Sequence, residues 1–240
     1  MLENLFSETG YSASICIDIE TKNNFKPLIF NIYSKPDFVN RFLPLFYGVD
    51  SGICDSFHRI IPGSRCIMAV FDYFQGVPLK DQLKTIPAAD YPARAQIIGQ
   101  LLDAVLVLDM LPPVFAISAL GEPNTVYIKK DNTVRLNFLI KPVPDPAVDE
   151  TKDAFTGYME QAIVKNRYLP DLAVDFLKKV QSGELTGFVQ INAAWRGIAT
   201  AAMDEHEKYK KESFIKYLKR RSKQKAKEKL AKRKEKKKNV

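Results

Sequence analysis

Two asparagines carry amide oxygens of the kind that ligate a metal-bound nucleotide. Asn124 precedes a β-rich run at 125–128, and Asn137 lies in a second β-rich run at 133–138. A neutral amide oxygen binds Mg²⁺ less well than a carboxylate does. Asn124 could instead fix its loop through side-chain hydrogen bonds to nearby backbone groups. We favour this structural role and keep Asn124 and Asn137 as the cofactor-binding candidates.

Cys54, Asp55 and His58 supply the residue types of a cysteine nucleophile with a histidine base. No orienting motif accompanies them, and Cys54 and His58 are one helical turn apart, which favours a surface or semi-buried pair without a catalytic role. His206 is the second of only two histidines, and the three cysteines contain no C-x-x-C. These counts argue against a zinc site and a disulfide framework, so we expect no metal and a reducing compartment.

The periodicity of apolar residues predicts the elements around these candidates. The residues from Pro112 predict a short irregular loop. The two β-rich runs that follow it, separated by a polar turn at 129–132, predict a hairpin. Further strands are predicted at 12–20, 27–33 and 65–74. Helical spacing predicts helices at 37–49, 80–84, 88–111, 149–165, 169–181 and 186–202. Strands, one helix, strands and then mostly helices indicate an α+β protein with two lobes.

The charge is concentrated at the C-terminal end of the chain. Residues 208–240 contain 17 Lys and Arg and three acidic residues, a local charge of +14, whereas residues 1–207 carry −6. We therefore predict a β-rich lobe at 1–74, a mainly helical lobe at 75–203 and a basic helical tail at 204–240. Lys, Glu, Arg and Ala are good helix formers, so a solvated helix suits the tail.

Three uses of the basic tail compete, beside a purely solubilising one. It could bind nucleic-acid backbone without sequence specificity, lie against anionic lipid, or flank a membrane span beyond Val240 on the cytoplasmic side. Within 1–240 the sequence has no run of 18 uncharged apolar residues. The candidate partner- or anion-binding residues are Lys216, Lys219, Arg220, Arg221, Lys223, Lys225, Lys232, Arg233 and Lys234.

Three successive segments resemble parts of a protein kinase. The segment 71–83 resembles the kinase hinge, with a strand, a linker containing Gly76 and a short helix. Asp72 and Asp81 could form a carboxylate pair, but on a hinge we expect them to be solvated. The segment 100–108 is similar to the helix that precedes the catalytic loop. The segment 117–128 resembles H-R-D-L-x-x-x-N followed by a strand, with Asn124 at the position of the Asn.

The segment 134–139 then falls where the family has D-F-G. The resemblance covers about 12–200 in layout and about 66–140 in recognisable motif. It implies a two-lobed protein-kinase-like fold with a reduced helical lobe, because the residues between Phe138 and the basic tail are too few for a full activation segment and helical lobe.

The resemblance also shows which chemistry this chain has lost. Ala119 stands where the family has the Asp that accepts the substrate hydroxyl proton. Asn137 replaces the metal-binding Asp, and Leu139 replaces the Gly that follows. The strand at 27–33 lacks the phosphate-pairing Lys inside it, and no G-x-G-x-x-G precedes it. Ala119 and Asn137 are therefore degenerate catalytic positions, and we predict neither phosphoryl transfer nor a bound cofactor.

These features predict a cytoplasmic pseudokinase that acts as a scaffold for protein partners, associated with a membrane through or beyond its basic tail. The combination resembles the cytosolic pseudokinase domain of the membrane subunit of type VII secretion systems. One alternative is a nucleic-acid- or ribosome-associated protein that binds through the tail. The other is an atypical kinase-like enzyme that uses ATP.

Overall fold

An antiparallel five-stranded sheet forms the first lobe. The computed structural model describes residues 2–16, 27–121, 125–142, 148–223 and 226. The strands lie in the order β1-β2-β3-β5-β4, and every neighbouring pair is antiparallel. Their bounds are Leu2–Glu8 (β1), Tyr11–Cys16 (β2), Leu28–Tyr33 (β3), Phe57–Pro62 (β4) and Ile67–Asp72 (β5).

Period-two patterning explains why β2 and β3 form as predicted. Tyr11, Ala13 and Ile15 are buried on β2 and alternate with partly exposed residues. On β3 the buried residues are Ile29, Asn31 and Tyr33. Because a strand's side chains alternate between its two faces, these residues line one side of the sheet. Residues 17–20 of the predicted strand lie outside the described part of the chain.

Helix α1 (Pro36–Tyr47) connects β3 to β4 and covers this side of the sheet with Phe42 and Phe46. Pro36 stands in the first turn, where its missing N–H costs nothing. A proline inside a helix usually bends or ends it, yet α1 continues past Pro44 to Tyr47, and the Gly48 amide donates to the Pro44 carbonyl.

The second lobe is mainly helical. It contains α2 (Leu79–Thr85), α3 (Tyr91–Val105), a 3-10 helix (Leu106–Met110), α4 (Pro113–Leu120), α5 (Val148–Ala162), α6 (Asp171–Ser182) and α7 (Phe188–Lys210). A small antiparallel sheet lies among them, with β6 (Val77–Pro78), β7 (Val126–Ile128) and β8 (Val134–Leu136) in that order. The predicted hairpin is present as β7 and β8, and Asp90 caps α3 by accepting the Ala93 amide. The α+β class is confirmed.

Three predictions about elements were wrong or incomplete. The loop expected before the hairpin is helix α4, whose buried side chains include Phe115 and Ala119. Strands β1 and β4 were not predicted. Strand β4 exposes His58 and Arg59 side by side and so lacks period-two alternation. Helix α7 continues to Lys210, past the predicted helix end at 202. The domain boundaries at 74–75 and 203–204 stay a prediction.

Aromatic rings join the two lobes. Phe71 of β5 lies 5.3 Å, ring centre to ring centre, from Phe138, which follows β8. Phe115 of α4 lies 6.0 Å from Phe138 and 5.8 Å from Phe46 of α1. Each ring is almost fully buried, and aromatic pairs at these distances add to the burial of apolar area. One apolar core therefore spans both lobes.

Helices α3 and α7 are tied by Asp103, which accepts hydrogen bonds from Arg196 (2.6 Å) and Asn192 (3.0 Å). Burial raises the pKa of the Asp103 carboxyl, but these hydrogen bonds outweigh burial and hold the pKa below its ordinary value. A carboxyl with a lowered pKa stabilises the fold above its unfolded pKa of about 3.9, and this contribution is lost as pH falls through the folded pKa.

Replacing Asp103 with Asn is expected to lower the free energy of unfolding by about 0.5–1 kcal/mol at pH 7, because both groups are half-exposed. At pH 3 the difference from wild type should shrink. Urea denaturation at the two pH values measures both effects. Asp175→Asn, which weakens a longer ion pair with Lys178 (3.5 Å) whose carboxylate is more exposed, should change stability less. An equal loss at both pH values would contradict the assignment.

Candidate functional site

Asn137 lies just after β8 and is buried. Its Oδ1 accepts a hydrogen bond from the Phe74 amide (2.8 Å), and its Nδ2 donates to the Phe74 carbonyl (3.0 Å). The Asn137 amide donates in turn to the Thr125 carbonyl. The carboxamide thus pairs with both backbone groups of Phe74 in the segment that resembles the hinge. A metal ion or nucleotide at this position would have to displace that pairing.

Asn31 lies on β3, the strand that the resemblance expects to supply a phosphate-pairing Lys. It is fully buried. Its Oδ1 accepts from the Tyr11 hydroxyl and from the Ile140 amide, both at 2.9 Å. Its Nδ2 donates to the Phe138 carbonyl, also at 2.9 Å. The side chain is therefore fully engaged within the protein.

Tyr33 adds a second contact from the same strand, since its hydroxyl donates to the Ile140 carbonyl. Burial, and then the neighbouring Tyr11, raise the pKa of the Tyr33 phenol, which keeps the donor protonated. Tyr11, Asn31 and Tyr33 hold the segment 138–140 against the sheet, and we call this set the interlobe clamp. The interlobe clamp thus fills the junction between the two lobes with the protein's own side chains.

The turn between β1 and β2 is short and packed. It consists of Thr9 and Gly10, and Gly10 has φ +89°, in the left-handed region that favours glycine. The Gly10 carbonyl accepts the Ser34 amide. A Cβ at Gly10 would lie 2.4 Å from Cγ of Lys35. The turn therefore lies against Lys35, which leaves no room for a side chain.

Of the two other predicted positions, the structure describes only Ala119. Ala119 is fully buried in α4, and its carbonyl accepts the Thr125 hydroxyl at 2.8 Å. The methyl group of Ala119 offers no proton acceptor. Asn124 lies outside the described residues, so its role stays a prediction.

A buried carboxylate was missed by sequence reasoning. Asp72 was expected to be solvated on the hinge, but it is 5% exposed at the end of β5 and lies 2.6 Å from Nε2 of His58. Its place in a strongly apolar strand was the available signal. Cys54 and His58 do not share a helical turn, because β4 begins at Phe57. Burial raises the pKa of the Cys54 thiol, which opposes a nucleophilic role.

A cavity of about 480 Å³ lies beside the hinge-like segment. Lys129 and Arg135 line it, with their charged groups 5.0 and 5.6 Å from the ring centre of Phe74. Asp55 and Asp72 line it as well. Burial, and then Tyr127, raise the pKa of Tyr73 in this cavity to about 12. Two acids beside two bases do not create the positive field that would favour a nucleotide's phosphates.

The predicted anion-binding residues fall into three groups. Lys216, Lys219, Arg221 and Lys223 are exposed on a helical segment at 214–223. Arg220 is mostly buried against the protein, as described below. Lys225, Lys232, Arg233 and Lys234 lie outside the described residues. The basic helix over the whole tail therefore stays a prediction.

Neither a metal cluster nor a membrane span occurs in the described structure. In the parts of the chain that the structure covers, no three His, Cys, Asp or Glu side chains are grouped to hold a metal ion. Within the same ranges no helix is both long enough and apolar enough to cross a bilayer.

Comparison with known proteins shows the fold and no more. No family model and no curated protein match the chain. A solved structure of an apo pseudokinase is similar, with a TM-score of 0.50 and 14% sequence identity, over 82% of this chain and 91% of that chain. At this identity the likeness concerns the backbone alone. The similarity to a type VII secretion subunit stays a prediction, and the chain is an α+β protein with a kinase-like fold.

Proposed function

We propose that this chain is a catalytically inactive kinase-like domain that serves as a scaffold for protein partners, held at an anionic membrane surface by its basic C-terminal segment. The observation that carries the proposal is the paired hydrogen bonding of Asn137 with both backbone groups of Phe74. By the resemblance to a kinase, Phe74 lies in the hinge, which would contact a nucleotide, and Asn137 lies at the metal-binding position. In this protein Phe74 and Asn137 bond to each other.

Three further features support the absence of phosphoryl transfer. Asn31 has its polar atoms engaged by Tyr11, Phe138 and Ile140. Ala119 supplies a methyl group where a proton acceptor is needed. The similar solved structure is itself described as a pseudokinase. A folded core that lacks its chemistry can still act through its surface, which supports a scaffold role.

Restoring the carboxylate is the direct test. Asn137→Asp is expected to lower the free energy of unfolding by about 1–3 kcal/mol, because it removes the donor to the Phe74 carbonyl and places a second oxygen against it. Neither the wild-type protein nor this variant should gain thermal stability from millimolar Mg-ATP, since a ligand that binds the folded state raises its melting temperature. Urea denaturation measures the free energy of unfolding, and differential scanning fluorimetry measures the melting temperature with and without Mg-ATP.

Asn4→Asp is the matched control. Asn4 lies in β1, and its oxygen accepts the Phe6 amide, a bond that a carboxylate also accepts. This variant adds the same charge and should keep nearly the wild-type stability. A rise in melting temperature with Mg-ATP in the wild-type protein, lost in Asn137→Ala, would overturn the proposal and favour an ATP-using enzyme.

A further inference from the structure

The first part of the tail is fixed to the helical lobe by one arginine. Arg220 donates to the Glu212 carboxylate (3.2 Å) and to the Arg167 carbonyl (3.1 Å), and it contacts the Asp171 carboxylate at 3.5 Å. Its guanidinium also lies 3.4 Å from the ring centre of Tyr209 in α7. The side chain is only 16% exposed. The helical segment at 214–223 therefore has a defined orientation on the protein.

Arg167 fixes the same segment from the α5–α6 connection. Its guanidinium donates to the Glu212 carbonyl and lies 5.7 Å from the ring of Phe214 and 5.9 Å from that of Tyr217. Arg220 and Tyr217 thus mark the side of the segment that faces the protein. The side chains opposite them face away from it.

An apolar stripe lies on the outward side. Phe214, Ile215 and Leu218 are 59%, 67% and 50% exposed, and at the angular spacing of an α-helix they fall within about 100° of arc. Lys219 and Arg221 border the stripe on its two sides, and both are exposed. A narrow apolar stripe bordered by bases is the pattern of a helix that lies in a membrane interface.

We propose that this stripe inserts into the interface of a bilayer containing anionic lipid, while the basic residues beside it, Lys219 and Arg221, contact the headgroups. The proposal rests on the membrane association suggested above and names the surface that carries it. Because Arg167 and Arg220 hold the segment, the bound protein would present α6 and the end of α7 to the membrane. The basic residues after 223 would add electrostatic attraction.

Lipid fits these residues better than nucleic acid does. A nucleic-acid strand would contact the Lys and Arg side chains with its phosphates and stack its nucleobases on exposed aromatic rings. The rings of Tyr217 and Phe214, however, already lie near the guanidinium of Arg167. Two of the three exposed side chains of the stripe, Ile215 and Leu218, are aliphatic. Aliphatic side chains are stabilised when they move from water to the boundary of the acyl chains, and contact with a phosphate backbone gives no such stabilisation.

The test uses the full chain and vesicles of phosphatidylcholine with or without phosphatidylglycerol. The double variant Ile215→Ser, Leu218→Ser keeps the net charge and should bind the anionic vesicles about tenfold more weakly in a flotation assay. Val189→Ser is the matched control, because Val189 is 58% exposed on α7, away from the stripe. Circular dichroism and the melting temperature confirm that the variants fold.

The outcomes separate this inference from the proposed function. If wild type and the double variant bind anionic vesicles equally, membrane association stands and the apolar stripe is not the contact. If neither binds, both the association and the inference fail. If wild type and the double variant bind single-stranded RNA equally well and neither binds vesicles, the tail is a nucleic-acid-binding segment and the inference is overturned. Weaker vesicle binding by the double variant, with Val189→Ser unchanged, supports it.

Discussion

Replacing Arg94 with alanine is expected to lower the free energy of unfolding by about 3–4 kcal/mol. Arg94 is 5% exposed on α3. Its guanidinium donates to five backbone carbonyls, at distances from 2.5 to 3.3 Å. These carbonyls belong to Leu83, Ile86, Pro87, Gln161 and Ala162.

The five carbonyls lie at and just beyond the C-terminal ends of α2 and α5, where carbonyl groups have no partner within their own helix. The carbonyl end of a helix also carries partial negative charge, which a guanidinium stabilises. Burial lowers the pKa of Arg94, and Asp90 offsets this shift in part. Alanine would leave the carbonyls without their donor and open space between two helix ends, which explains the large loss.

Urea denaturation of Arg94→Ala measures the effect, and Arg196→Ala is the matched control. Arg196 also bonds across two helices, but its side chain is 67% exposed. Its removal should cost no more than about 1 kcal/mol. Arg94→Lys should fall between wild type and Arg94→Ala, since an ammonium has three donors. Equal losses for the two alanine variants would show that Arg94 is not a central contact.

Arg94 also shows what the sequence could have disclosed. It precedes Ile97, Leu101 and Val105 at helical spacing, so it lies on the buried side of α3. A charged residue in that phase predicts a buried hydrogen-bonding group. The identity of its partners could not be predicted, because the carbonyls of 161–162 come from an element 67 residues later in the chain.

Elements with strong local patterns were predictable, and those defined by distant contacts were not. The alternation in β2 and β3, and the apolar stripes of α3 and α6, are encoded in short windows. Helix α4 was taken for a loop because it begins at the second of two prolines, Pro112 and Pro113, and its sequence resembles a catalytic loop. Its residues Phe115 and Ala119 form a helix because they pack into the core between the lobes.

The candidate site could be predicted only by what it lacks. Ala119 and Asn137 showed from the sequence that two catalytic carboxylates are missing. The replacement contacts were hidden, since Asn31 meets the segment 138–140 across more than 100 residues of chain. A period-two pattern indicates only that Asn31 faces inward.

Replacing Asn31 with leucine is expected to lower the free energy of unfolding by about 3–5 kcal/mol. The change keeps the branching and the number of side-chain heavy atoms but removes three hydrogen bonds. It leaves the Tyr11 hydroxyl, the Phe138 carbonyl and the Ile140 amide buried without this partner, and each such group costs about 1–3 kcal/mol. Tyr33→Phe removes one hydroxyl from the same clamp and should cost about 1 kcal/mol.

Hydrogen exchange separates loss of the clamp from general destabilisation. The Ile140 amide donates to Asn31 Oδ1, whereas Tyr33 contacts only the carbonyl of Ile140. Asn31→Leu should therefore speed hydrogen exchange of the Ile140 amide by local opening. The exchange rates of the α3 amides should change only as far as the global stability changes. Tyr33→Phe should leave the Ile140 amide protected. If Ile140 stays as protected in Asn31→Leu as the amides of α3, Asn31 does not hold the lobes together, and the junction depends on the rings of Phe71, Phe115 and Phe138.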